Sequence, residues 1–85
     1  MRTYEYREIT FLPSATHDLI IEDSGALRRV VPIELGDSAR YGRDCRTAAL
    51  DVLNGLGADG WQLVSMVQEG TRWPFGTHIF AREIS

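Results

Sequence analysis

The sequence predicts a small α+β domain. Its sheet should be antiparallel or mainly antiparallel, with one helix packed on one face, in the order β-(β-hairpin insertion)-α-β-β. Three observations carry this. One stretch has apolar residues at helical spacing: Cys45, Ala48, Ala49, Val52, Leu53 and Leu56. Segments rich in aromatic and β-branched residues stand on both sides of it, at 3–12, 19–22, 27–35, 61–67 and 77–84. Glycine, proline, serine and aspartate punctuate the gaps between them.

The first strand is read over 3–12. Tyr4 and Tyr6 share one face and Ile9 and Phe11 the other, so a bulge or a change of surroundings near Glu8 is expected. Pro13 and Ser14 should end it. The next two segments form a hairpin around the turn Asp23-Ser24-Gly25-Ala26. On its second arm Val31, Ile33 and Leu35 share a face, and Pro32 makes that arm an edge strand.

Asp44 is the expected N-cap of the helix, with Ser38 as the rival because Tyr41 extends the apolar stripe back by one turn. Gly42 speaks against the longer helix, and Gly57 is placed to end it as a left-handed residue. The strand at 61–67 is apolar at both parities, with Trp61, Leu63 and Val67 on one side and Val64 and Met66 on the other. Such a strand should be buried on both faces. One helix covers one face only. The second cover should be the hairpin at 19–35 folded over the sheet, or a second subunit.

Eighty-five residues allow a single domain, 1–85, with no room for a linker or a second core. A chain this short buries about two thirds of its unfolded surface, so a partner copy is a natural source of extra burial. A net charge of -3 argues against a large phosphate-binding surface, and no nucleic acid is expected. No apolar run approaches the roughly 20 residues that span a bilayer, and no secretion signal is visible. The expected setting is cytoplasmic, with no membrane partner. All nine basic residues are arginine, scattered along the chain, which fits codon bias in a GC-rich genome better than a phosphate or carboxylate site.

The run Leu53-Asn54-Gly55-Leu56-Gly57-Ala58-Asp59-Gly60-Trp61-Gln62-Leu63-Val64-Ser65 resembles the core of a family of small bacterial proteins, domain of unknown function number forty-one seventy-seven. Tyr4-Glu5-Tyr6-Arg7 is similar to that family's opening strand and Ile79-Phe80-Ala81-Arg82 to its closing one. The resemblance covers residues 3–10, 45–68 and 77–84. It implies a β-α-β-β arrangement with an antiparallel sheet, and no activity. Relative to it, 13–43 is an insertion, and Gln62 stands where the family usually has glutamate. Gly57, Gly60 and Trp61 form the structural motif: the glycines permit the helix stop and a tight reversal, and the indole folds back over the helix end. Their place at the negative end of the helix dipole argues against an anion nest.

Few residues invite chemistry. Cys45 lies on the apolar stripe and reads as a small core hydrophobe. His17, Asp18, Glu22 and Asp23 match no metal-ligand spacing, so no metal is expected. His78 reads as an exposed or hydrogen-bonded strand residue. Arg72, Trp73 and Phe75 flank Pro74 in a turn and are interface candidates, or fold back onto the sheet as a local cap. No catalytic constellation and no cofactor emerge. The expected function is a non-enzymatic interaction module that self-associates, as a dimer, or docks on another protein. The alternative is a small-molecule-binding or enzymatic domain with a pocket between the 19–35 hairpin and the sheet, using Tyr4, Tyr6, His17 and His78 as polar groups.

Overall fold

A computed structural model describes residues 2–16, 18–33 and 38–84, with the side chains at 38–40 and 42 outside that description. Five strands and one helix follow in the order β1 (Tyr4–Pro13), β2 (Leu19–Asp23), β3 (Leu27–Val31), α1 (Ser38–Ala58), β4 (Gln62–Gln68) and β5 (Gly76–Glu83). The strands form one antiparallel sheet in the order β3-β2-β1-β5-β4. The expected α+β class is therefore what the chain adopts.

β1 runs without interruption along both neighbours, from Tyr4 opposite Glu83 to Phe11 opposite Gly76, and from Ile9 opposite Asp23 to Pro13 opposite Leu19. No bulge is needed near Glu8. The uneven hydrophobic pattern arises because the helix-facing row begins with charged residues, Glu5 and Arg7, before Ile9 and Phe11. Those charges are neutralised in place. Arg7 Nε donates to Asp23 Oδ1 at 3.0 Å, and Arg82 Nε donates to Glu5 Oε1 at 2.7 Å.

The hairpin β2–β3 extends the sheet sideways and does not fold over it. Ser24 and Gly25 both take left-handed φ at its turn, and the Ala26 N–H closes on the Asp23 carbonyl at 3.0 Å. β3 is an edge strand that ends before Pro32, as the missing donor requires. Leu35 lies outside the described residues.

The helix takes the longer form, beginning at Ser38 and carrying Gly42 within it, so Asp44 is an interior residue and not the cap. Its stripe Cys45, Ala49 and Leu56 is buried against Ile9, Phe11, Leu19, Ile21, Trp61 and Phe80.

Gly57 is not the left-handed residue; Gly60 is, at φ 89°. The Trp61 N–H reaches back to the Leu56 carbonyl at 2.9 Å and the Gly60 N–H to the Gly57 carbonyl at 3.0 Å. This is a Schellman ending, with Gly60 at C′, Trp61 at C″ and Leu56 at C3. Leu56 and Trp61 are both buried, supplying the apolar contact that accompanies it. The Leu-Gly-x-x-Gly-Trp run thus has a local physical cause. Gly57 lies two residues inside the helix and carries no special backbone angle.

Candidate functional site

The sheet has two unlike faces. Residues 9, 11, 19, 21, 78 and 80 point at the helix and are buried. The other face receives no helix. On β1 it carries Tyr4, Tyr6, Glu8, Thr10 and Leu12. On β5 it carries Thr77, Ile79 and Ala81, and on β4 Ser65 and Val67, which sit opposite Ile79 and Thr77. The hairpin adds Ile20 and Val30, paired with each other and with Leu12 beyond Ile20.

β4 is the outer strand on this side, and its register shifts between Leu63 and Ser65. The shift brings Val64 to the open face beside Tyr4, Gln62 and Ala81, where they line a depression of about 620 Å³. Leu63 stays on the helix side, opposite Phe80. The expectation that this strand is buried on both faces fails within the chain. Leu63, Val64 and Val67 are 52%, 56% and 63% exposed. The reason is topological: β4 is an edge strand, and the hairpin that could have covered it lies at the opposite edge.

The two edges differ in chemistry. β3 carries Arg28 and Arg29 and is followed directly by Pro32, features that discourage strand addition. β4 reads Gln-Leu-Val-Ser-Met-Val-Gln, with no charge and no proline. On the open face apolar surface is carried by β1, β5 and β4, with Glu8 between Tyr6 and Thr10 and Glu83 opposite Tyr4. Tyr4 and Tyr6 are 48% and 69% exposed there.

The four polar groups considered for a ligand site are not brought together. Tyr4 and Tyr6 belong to the open face, whereas His78 is buried on the helix side, and His17 lies outside the described residues. His78 is also neither exposed nor hydrogen-bonded: it is 0% exposed, and neither ring nitrogen has a hydrogen-bond partner among the described residues. Phe11 meets it edge-on at 5.1 Å, Phe80 stacks at 6.5 Å and Trp73 stands edge-on at 6.3 Å. Burial holds its pKa below the ordinary imidazole value, offset in part by the Gly76 backbone. An alternating strand with threonine on one side of it and isoleucine on the other gives no sequence signal for this inward turn; the parity shared with Phe80 was the available clue.

Trp73 and Phe75 are half-buried against the core and Pro74 is fully buried, so this loop folds back as a cap; Arg72 is exposed beside it. Cys45 is buried, and burial pushes its thiol pKa up, with Tyr41 acting in the other direction. Burial and the neighbouring Cys45 push the Tyr41 phenol up to about 12. A thiol in these surroundings is poorly suited to nucleophilic work. Asp18 ties its loop together, accepting from Thr16 Oγ1 at 2.8 Å and from the Ile33 N–H at 3.4 Å. Among the described residues no group of three histidine, cysteine, aspartate or glutamate side chains is placed to hold a metal. No described helix is long and apolar enough to cross a membrane.

A cleft of about 420 Å³ opens on the helix side. It is not between hairpin and sheet, as the pocket reading expected, because the hairpin is part of the sheet. It lies between the hairpin and the second half of the helix. Ile9 and Ile21 form its floor, Val52 and Leu56 its wall, and Arg29 stands at its mouth.

No protein-family model, no curated protein and no solved structure matches the chain.

Proposed function

We propose that this protein is a self-associating interaction module that pairs with a second copy of itself across the open sheet face. The observation that carries the reading is the uncovered apolar surface of β1, β5 and β4, on which Tyr6, Val64 and Val67 are each more than half exposed. Full burial of one such side chain is worth about 1.5–3 kcal/mol, so leaving several in water is a substantial loss for a domain this small. Two copies related by a two-fold axis present the same patch to each other, which is the commonest way for a soluble chain to cover one. The three strands β1, β5 and β4, at about 4.8 Å spacing and about eight residues long, give a patch of roughly 14 × 27 Å in projection.

Charge placement supports a face-to-face arrangement over strand addition at β3, where Arg28 and Arg29 would meet their own copies. The closed, unactivated Cys45 and the dispersed Tyr4, Tyr6 and His78 give no convergent chemistry to set against it. We also propose membership of the family whose helix-to-strand core the run at 53–65 resembles, a reading supported by the physical role of Leu56, Gly60 and Trp61 in the helix ending. A cytoplasmic setting is supported by the single unpaired thiol.

Light scattering across a dilution series tests the reading. Twice the 9.6 kDa chain mass is expected at micromolar concentration. A strict monomer at every concentration contradicts it.

A further inference from the structure

On the side of the sheet away from the proposed dimer face, we infer that the cleft between α1 and the β2–β3 hairpin binds an aliphatic monocarboxylate. The apolar tail lies on Ile9 and Ile21, and the carboxylate is held at the mouth by Arg29.

The cleft has the size of small-molecule sites, which run from about 300 to 1,000 Å³. Its floor and wall are aliphatic, with no aromatic ring to favour a planar ligand. Ile9 and Ile21 are buried at its base, and Val52 and Leu56 come from consecutive turns of one helix face. That is a slot for a flexible chain of methylenes.

The mouth is polar in one sense only. Arg7 is engaged by Asp23, through bonds of 3.0 and 3.1 Å from its Nε, so those two charges cancel. Arg29 is register partner to Ile21, and shares its side of the sheet, so its side chain projects over the cleft. It makes no hydrogen bond or ion pair with any described residue. Arg28 borders the same cleft but, as register partner of Glu22, belongs to the sheet's other face. An apolar slot that ends in an uncompensated guanidinium is complementary to one carboxylate on an aliphatic tail, since a planar fork of N–H donors matches a carboxylate in two parallel bonds. An anion without a tail leaves the slot empty, and a tail without a charge leaves Arg29 unpaired.

Sodium decanoate, kept below its micelle concentration, is the probe, followed by methyl and amide NMR shifts of the full chain with decanol as the uncharged control. The expected result is saturable movement of the Ile9, Ile21, Val52 and Leu56 methyls, with decanol and buffer alone leaving them in place. Arg29→Ala, at an exposed edge position, should weaken decanoate about tenfold, the loss of one charge-assisted contact, while the amide spectrum stays folded. Val52→Trp should fill the slot and abolish the shifts. Absence of saturable methyl shifts, equal binding of decanol, or undiminished affinity in Arg29→Ala would each overturn the inference. So would methyl shifts that follow protein concentration without ligand, which would mark the cleft as a contact between copies. Because the cleft and the open face lie on opposite sides, this outcome is independent of the dimer test.

Discussion

The Arg82 guanidinium lies over the Trp61 ring, its carbon 4.5 Å from the ring centroid. The same side chain donates to Glu5 and, at 3.2 Å, to the Asp59 carbonyl at the helix end. Arg7 approaches the indole as well, at 5.7 Å. One tryptophan therefore joins the helix C-terminus, the first strand and the last. Trp61→Ala should lower stability by about 3–5 kcal/mol, the range of large-to-small changes at buried aromatics. Arg82→Ala should lower it by about 1 kcal/mol, as a partly exposed cation–π contact allows. Urea unfolding at fixed protein concentration checks both. A loss below about 1 kcal/mol for Trp61→Ala would mean that the indole does not hold these elements together.

Two glycines should respond differently to alanine. At Gly60, φ is 89° but the nearest side-chain atom to an added Cβ would be Arg82 Cδ at 3.5 Å, so only the backbone angle resists. A loss of about 1–2 kcal/mol is expected. At Gly76, φ is 136° and the Cβ would stand 2.1 Å from the Val67 carbonyl oxygen and 2.9 Å from Gln68 Cα. No side-chain rotation relieves a clash with backbone, so Gly76→Ala should separate β5 from β4 and cost more than Gly60→Ala. Paired thermal melts decide; equal melting temperatures would contradict the steric reading.

The contrast shows what the sequence made legible. Helix, hairpin and strand segments followed from local periodicity, and Pro32 announced the β3 edge. The left-handed stop lies three residues beyond Gly57; Gly57 and Gly60 look alike in a string, and only the Trp61-to-Leu56 bond tells which one is left-handed. The β4 environment departs from its pattern for a different reason. Apolar residues at both parities specify a strand that wants two covers, but not whether its own chain supplies them. That depends on strand order, which is non-local. His78 escaped because a buried, unpartnered imidazole among Phe11, Phe80 and Trp73 has no compositional mark.

His78 makes stability depend on pH. Its folded pKa is depressed by burial, so on acidification the unfolded chain takes up the proton first. Stability should be fully present above the ordinary value of 6.5 and fall as pH drops below it toward the folded value, by at most about 1.4 kcal/mol per pH unit. His78→Phe should remove this component and change stability at pH 8 by no more than about 1 kcal/mol, because both unpartnered nitrogens are replaced by carbon among aromatic neighbours. Urea midpoints measured from pH 8 to pH 5 for the two proteins check it. Parallel pH profiles would contradict the assignment.

Cys45 should be inert in the folded protein. Its thiol is buried and its pKa raised, so reaction with a disulfide reagent requires opening of the helix–sheet layer. Labelling in native buffer at pH 8 should be at least about a hundredfold slower than in urea. Comparable rates would show that the layer is open.

The central claim is that a second copy covers the open face of β1, β5 and β4. Isotope-filtered NMR on a mixture of carbon-13-labelled and unlabelled protein tests it most directly, because only contacts between copies give a signal. Intermolecular cross-peaks from the methyls of Val64, Val67 and Ile79 to the rings of Tyr4 and Tyr6 are predicted. Their absence at concentrations where the chain is fully associated, or cross-peaks confined to Leu63 and the helix side, would contradict it.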